Sequence, residues 1–235
     1  MNALRRSACG GCQLDLQGER LVARVSGALW LPETRTLAAG DLHLEKGSAF
    51  GARGQLLPPY DTAATLDRLL AEVEALTPER LVLMGDSFHD RGAVGRLDQV
   101  AVARLEGLSQ RLHLVWLSGN HDPEPPEGLA GETVDQIRIG SLILTHEPSP
   151  DPVEGEVAGH LHPVATVRGY GTRVRRRCFL TDGRRMILPA FGAYAGGLNV
   201  TDPAFRGLFA EATTALIMGD DRVHAMPVAR LTVGV

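Results

Sequence analysis

The sequence predicts a layered α/β domain with mixed sheets, and three observations carry that expectation. Short apolar runs alternate with two stretches of helical periodicity in the first half of the chain. Short apolar runs dominate the second half. The runs of the first half and the centre repeatedly stop at a small polar block.

In chain order, the segments 21–25 and 28–31 read as a hairpin turning at Ser26-Gly27, and 36–39 reads as a strand leading into Asp41. Residues 61–76 carry apolar side chains at helical spacing, with Asp61 as N-cap and Pro78 just past the end. Residues 81–84 form a strand that stops at Gly85-Asp86, and 94–108 a second helix. Residues 113–117 form a strand that stops at Ser118-Gly119-Asn120. A hairpin over 136–139 and 142–145 turns at Gly140-Ser141. Strands follow at 157–159, 165–167, 174–180 and 186–188, and a last hairpin over 215–218 and 223–226 turns at Gly219-Asp220-Asp221. The Pro-rich stretch 123–128 reads as a loop, so residues 1–235 are expected to form one domain.

The composition, 44% hydrophobic and 22% charged, has a core to bury and is not that of a disordered chain. No apolar run approaches the length of a membrane span, and Arg5-Arg6 comes too early for a signal peptide, so a cytoplasmic location is expected. Three cysteines in that setting read as reduced thiols. Cys9-Gly-Gly-Cys12 is half of a zinc site with no second cysteine pair, which favours incidental cysteines. The net charge of −4 neither announces nor excludes a nucleic-acid partner, because local patches decide that.

The polar blocks carry the chemistry. They are Asp41-Leu42-His43, Gly85-Asp86, Gly119-Asn120-His121-Asp122, Thr145-His146 and Gly159-His160-Leu161-His162. Loops that follow strands are where ligands gather in helix-covered sheets, so five such blocks are expected to meet. Asp41, His43, Asp86, Asn120, His146, His160 and His162 then offer oxygen and imidazole donors without a thiolate, a set suited to Mn, Fe or Zn. Seven donors exceed one tetrahedral ion and suit two ions sharing a carboxylate. Such a pair is a recognised arrangement for phosphoester hydrolysis. In Asp41-x-His43 and His160-x-His162, an extended backbone would put both side chains on one side. Each block alone has an ordinary structural reading as a turn or a core histidine; the ordered set does not.

This ordered set resembles the motif series of the calcineurin-like metallophosphoesterases. The resemblance implies a four-layer α/β/β/α metallophosphoesterase sandwich with two mixed sheets and two divalent ions at the strand ends. One ion would take Asp41, His43, Asp86 and His162; the other would take Asp86, Asn120, His146 and His160, with Asp86 bridging. His121 would contact the phosphate or protonate the leaving oxygen. Many relatives carry Gly-Asp-x-x-Asp-Arg-Gly, whereas the stretch from Gly85 to Gly92 is one residue longer here. Carried over, Asp90 would orient the catalytic histidine and Arg91 would meet phosphate. His89 reads as a surface histidine, with a substrate contact as the sharper alternative.

A narrower likeness covers nearly the whole chain. Asp41-Leu-His-Leu-Glu-Lys-Gly47, Gly54 with Leu57-Pro58, His146-Glu-Pro148, Gly159-His-Leu-His-Pro163, Arg177-Cys178-Phe179 and Leu188-Pro-Ala-Phe-Gly192 occur together. They are similar to the ligase-associated DNA damage response endonucleases of bacteria. That resemblance implies a Mn-dependent endonuclease on single-stranded DNA, with Fe or Zn as other metals. It also implies company with a DNA ligase, a helicase and an exonuclease-like protein in DNA repair. The alternative is a small-molecule or nucleotide phosphodiesterase, or a phosphatase, on the same two-metal site. A scaffold that has lost catalysis fits poorly, because every ligand type is present.

A DNA substrate needs cations. Arg168, Arg173, Arg175, Arg176, Arg177, Arg184 and Arg185 cluster in sequence, with Tyr170 and Phe179 between them. On a strand Arg173, Arg175 and Arg177 share a face, and Arg176 takes the other. Lys46, the only lysine, follows the first metal block and is a second candidate phosphate contact. Arg53 and Tyr60 sit in a Gly/Pro-rich loop that would border the site, and 191–198 reads as a loop near its entrance.

Overall fold

The computed structural model describes residues 4–55, 57–124, 126–169 and 172–231. Its first sheet runs in sequence order: β1 (Arg5–Arg6), β2 (Cys12–Leu16), β3 (Glu19–Ala23), β4 (Leu29–Leu31), β5 (Thr36–Ala39), β6 (Arg80–Leu83), β7 (His113–Leu117) and β8 (Glu132–Val134). The pairings are antiparallel as far as β5 and parallel from β5 to β8. Helices α1 (Lys46–Ala52), α2 (Asp61–Leu76) and α3 (Gln99–Arg111) lie in the connections after β5 and β6.

The second sheet uses β9 (Gln136–Ile139), β10 (Leu142–Thr145), β11 (Glu156–Ala158), β12 (Pro163–Gly169), β13 (Thr172–Thr181), β14 (Met186–Ile187) and β15 (Leu198–Asn199). Its spatial order is β15-β12-β13-β14-β11-β10-β9. A last hairpin, β16 (Thr214–Met218) and β17 (Val223–Pro227), branches from β13. Both sheets are mixed, as the sequence predicts.

Side-chain alternation explains why two sheets stack. Along β6 and β7, Val82, Met84, Val115 and Leu117 enter one core with Leu144, Phe179 and Met186 of the second sheet. Their neighbours Leu81, Leu83, Leu114 and Trp116 enter another with Leu66, Leu69 and Val73 of α2 and Leu105 and Leu108 of α3. These strands are apolar on both faces because both faces are covered. Each fully buried Leu there contributes roughly 1.5–3 kcal/mol relative to exposure. The far face of the second sheet packs Cys178, Leu180 and Ile217 against Phe205 and Leu208. That cover is thin, a loop with 3-10 turns at Pro203–Phe205 and Val228–Arg230. Among the described residues, no helix is long and apolar enough to cross a membrane.

Several local expectations shift. Asp61 is the first residue of α2 and not its cap; Tyr60 holds that place, and the Asp61 carboxylate accepts the Gly47 amide of α1 at 2.9 Å. The helix expected over 94–108 splits, because Asp98 breaks it. Its carboxylate caps the Ala101 amide at 2.7 Å, so α3 starts at Gln99 after a 3-10 turn. Strand β2 was not expected. It forms a hairpin with β3 around Gln17 and Gly18, whose φ values of 50° and 83° suit a tight primed turn. Helix α1 was also unexpected, being short and holding two glycines.

Candidate metal centre

Every block sits where a strand of the stacked sheets runs out: Asp41 and His43 after β5, Asp86 after β6, Asn120 and His121 after β7, His146 after β10, and His160 and His162 after β11. Asp41, His43, Asp86 and His146 are buried. The extended-strand reading of the two alternating pairs does not hold. Asp41, His43, Asp86, His160 and His162 all have left-handed backbones, with φ between 45° and 68°. Such residues are costly off glycine, and five of them together mark a strained, over-determined site. The chain curls at each one and still brings the side chains together.

The donors fall into two groups. In one, His162 Nε2 lies 3.1 Å from an Asp41 carboxylate oxygen and 3.4 Å from His43 Nε2. In the other, His146 Nε2 lies 2.9 Å from Asn120 Oδ1, 3.3 Å from His160 Nδ1 and 3.4 Å from Asp86 Oδ1. Asp86 stands between them, since its other oxygen, Oδ2, lies 3.9 Å from His43 Nε2. Asp41–His43–His162 and Asp86–His146–His160 each bring their ligand atoms within 4.8 Å of one another.

The chemistry of the second group tests the fit to a cation. The Nδ1–H of His146 donates to the Met84 carbonyl at 3.0 Å. A neutral imidazole so fixed has a lone pair on Nε2. In that form Nε2 and the facing oxygens of Asn120 and Asp86 are three acceptors turned on one another. A divalent cation satisfies all of them, and a main-chain carbonyl on the far nitrogen is the usual way to orient a metal-ligating histidine. His43 is suited in another way. Burial, with the nearby His162, His121, Lys46 and His89 adding to it, pushes its pKa down to about 2, so its ring is neutral at any working pH. The residues present fit two divalent ions.

Glycines allow the blocks to interlock. A Cβ on Gly85, whose φ is 77°, would lie 2.5 Å from the His146 ring. A Cβ on Gly119 would lie 2.2 Å from the Asp86 nitrogen. Each glycine clears room for a donor of a different block.

His121 is exposed, like its neighbour Asn120, with 41% of its side chain accessible. Its Nδ1–H donates to the His89 carbonyl at 2.8 Å, and its Nε2 lies 3.9 Å from Asp86. The part expected of Asp90 is therefore taken by a backbone carbonyl. The Asp90 carboxylate instead pairs with Arg96 and accepts the Gly92 amide, both at 2.8 Å, and the Arg96 bond holds its pKa down. Arg91 is mostly exposed, with Glu124 at 4.0 Å, and makes no contact with the donors.

Four residues matter more than their sequence context suggested. The His89 ring stacks on His121 with centroids 5.4 Å apart, and it shares a possible ligand group with His43 and His121. It is no free surface histidine. Asp122 accepts the Phe88 amide at 3.0 Å, and burial pushes its pKa up to about 6. Its position within a motif block was the available signal. Phe191 and Gly192 donate their amides to the carbonyls of Gly40 and Asp41, which ties the loop 191–198 behind the first ligand.

Lys46 heads α1, half-buried beside the site; burial lowers its pKa, and its charge depresses those of His43 and His89. Arg175 bonds the Gly197 carbonyl, and Arg176 on the opposite face pairs with Asp220 at 3.2 Å, as the alternation predicts. Arg177 does not face solvent. Its guanidinium donates to the carbonyls of Ala190, Phe191, Gly192 and Ala193. It is a clamp on the loop behind Asp41, which corrects its expected role at the substrate. Tyr170 lies outside the described residues.

A sandwich of two mixed sheets with Asp/His donor groups at its strand ends defines a metallophosphoesterase. The calcineurin-like phosphoesterase family model matches residues 34–180, and the chain belongs to that family, whose members use divalent metal ions. Among solved structures it is similar to the Pseudomonas putida nuclease MPE, with 30% identity over 92% of this chain and 100% of that chain, at a TM-score of 0.72. It is also similar to Yfce, a phosphoesterase from E. coli, with 18% identity over 82% of this chain and 98% of that one, at a TM-score of 0.40. No curated protein sequence matches.

Proposed function

We propose that this hydrolase is a dinuclear phosphodiesterase acting on DNA, an endonuclease on single strands with Mn2+ as its metal. The carrying observation is Asp86, whose two carboxylate oxygens turn to separate donor groups. Asp41, His43 and His162 would hold one ion with it; Asn120, His146 and His160 would hold the other with it. Bound there, the two ions would clamp the phosphate oxygens and lower the pKa of a water between them. His121 delivers the proton: its Nδ1 is fixed on the His89 carbonyl, which leaves Nε2 to protonate the departing ester oxygen. Lys46, Arg173 and Arg175 meet the flanking phosphates.

The similarity to a nuclease over nearly the full chain supports DNA as substrate. The exposed arginines of β13 support an extended anionic strand over a small ester. By the same reading the enzyme works in the cytoplasm in DNA repair, together with a DNA ligase, a helicase and an exonuclease-like protein.

A second reading, a phosphodiesterase or phosphatase for nucleotides or other small esters, draws on one feature. A cavity of about 400 Å³ opens between the loops that carry Phe88, Arg91, Val94, Asp122 and Pro123, the last two following His121 in the chain. The test is purified protein with circular single-stranded DNA, with and without Mn2+, next to His121→Ala. Nicking that needs Mn2+ and vanishes in the variant supports the endonuclease. A surviving circle with cleavage of bis-p-nitrophenyl phosphate moves the assignment to the small ester.

A further inference from the structure

We infer that the cavity between the loops after β6 and β7 is a base-binding subsite, which takes an amino-bearing nucleobase beside the phosphate being cut. Cutting is then biased toward guanine, cytosine or adenine and against thymine. This rests on the proposed reading that the site cleaves DNA phosphodiesters.

The cavity holds about 400 Å³, within the size range of small-molecule sites. Its walls are the loops that carry metal donors. Phe88 lies two residues beyond Asp86, and Asp122 lies two beyond Asn120 and next to His121. The two walls are locked together, because the Phe88 amide donates to the Asp122 carboxylate at 3.0 Å. The wall at Asp90 follows His89, whose carbonyl holds His121 Nδ1 at 2.8 Å. A Cβ on Gly119 would stand 2.4 Å from Asp122 Oδ1 and 2.5 Å from Asp86 Oδ1. The wall at Asp122 therefore abuts the carboxylate that both donor groups share. A strand whose phosphate sits at the donors brings a neighbouring nucleotide to this cavity.

The lining selects the ligand. The arginine ribbon of β12 and β13 is cationic, whereas this cavity is acidic: Asp90, Asp122, Glu124 and Glu127 line it against one arginine, Arg91. Such a lining repels a second phosphate. Asp90 is committed to Arg96 and the Gly92 amide, and Asp122 to the Phe88 amide. Glu124 and Glu127 are exposed acceptors on the outer wall, with Arg91 4.0 Å from Glu124. Val94, Pro123 and Pro126 add apolar surface. An apolar slot edged with acceptors fits a flat ring that carries N–H donors. The exocyclic amino groups of cytosine, adenine and guanine are such donors, and glutamate accepting from cytosine N4 is a known pairing. Thymine puts its O4 where cytosine has that amino group. A carbonyl facing a carboxylate opposes two acceptors, and neither is satisfied.

The experiment uses the Mn-loaded full chain and end-labelled oligothymidylates of one length, with a single internal guanine, cytosine or adenine, or none. Cut positions are mapped at single-nucleotide resolution. Cuts are expected at a fixed offset from the substituted base, about 10-fold more often than between thymines. Glu124→Gln with Glu127→Gln should shrink that ratio, mainly by raising cuts between thymines, because an amide can donate to thymine O4. The ratio is internal to each strand, so a partly unfolded variant still reports it. An even ladder from unaltered protein, or a ratio that the Gln variant leaves unmoved, overturns the subsite while the DNA reading stands. If unaltered protein cleaves bis-p-nitrophenyl phosphate and no strand, the DNA reading fails and takes the subsite with it.

Discussion

The metal centre and the arginine ribbon are both polar, both close to the strand ends, and built on opposite principles. Most of the centre is buried or half-buried, five of its seven donors ride on left-handed backbone, and each donor has a neighbouring donor close by. The ribbon is exposed over residues 172–176, lies on regular ladder geometry, and offers charge more than shape. A buried polar atom must be satisfied by a particular neighbour, so position is everything there. An exposed guanidinium is solvated whatever happens, and its work depends on how many charges line up.

The largest expected effect tests the first half of that contrast. Asp86→Ala removes the one side chain that serves both donor groups. Metal content by mass spectrometry should fall from two ions per chain, and diester hydrolysis should drop by about 10³-fold or more. Two retained ions in an active variant would mean that the donors are not organised around Asp86. Gly85→Ala comes next, though it alters no donor. Its new Cβ meets the His146 ring, and its φ of 77° disfavours any side chain. A loss of about 2–4 kcal/mol in thermal or denaturant unfolding is expected, with weaker Mn2+ binding by titration.

The same contrast explains what could be read from sequence. The blocks were legible because buried donors need fixed residue types, and strands such as 36–39 and 113–117 because their apolar runs are bounded sharply. The backbone at the donors was not legible, since nothing in Asp41-Leu42-His43 signals a left-handed turn at both ends. Asp90 misled because the His89 carbonyl, not a carboxylate, holds His121, and a carbonyl has no letter in a sequence. Arg177 misled because alternation predicts a face but not what covers it. The Ala190–Ala193 loop covers this one. Helix α1 is held largely by tertiary bonds, such as Asp61 to Gly47, that local periodicity does not record.

A titration sharpens the contrast at intermediate size. Burial pushes the Asp122 pKa up to about 6, with the neighbouring Asp86 adding to the rise and the Phe88 and Ser87 amides opposing it. An unfolded aspartate loses its proton near pH 4, so between about pH 4 and 6 the unfolded chain ionises first. This group's contribution to stability is therefore complete below pH 4 and is lost as pH rises through 6, by about 3 kcal/mol at most. Denaturant unfolding of metal-free protein should show that decline, and Asp122→Asn should flatten it. A decline of the same steepness in the variant would assign it to another group.

The smallest effect comes from within the ribbon, where two arginines of one face should behave differently. Arg175→Lys keeps a charge at an exposed position and should leave unfolding free energy within about 0.5 kcal/mol. Arg177→Lys keeps the same charge but loses the planar fork that reaches four carbonyls over Ala190–Ala193. An ammonium on a flexible stem cannot bridge that arc, and buried carbonyls left unpaired cost about 1–2 kcal/mol. The damage should also reach Asp41, because Phe191 and Gly192 are the residues that bond the Gly40 and Asp41 carbonyls. Mn2+ affinity should weaken in Arg177→Lys and hold in Arg175→Lys. Identical behaviour of the two variants would erase the boundary between an arginine that belongs to the fold and one that belongs to the substrate.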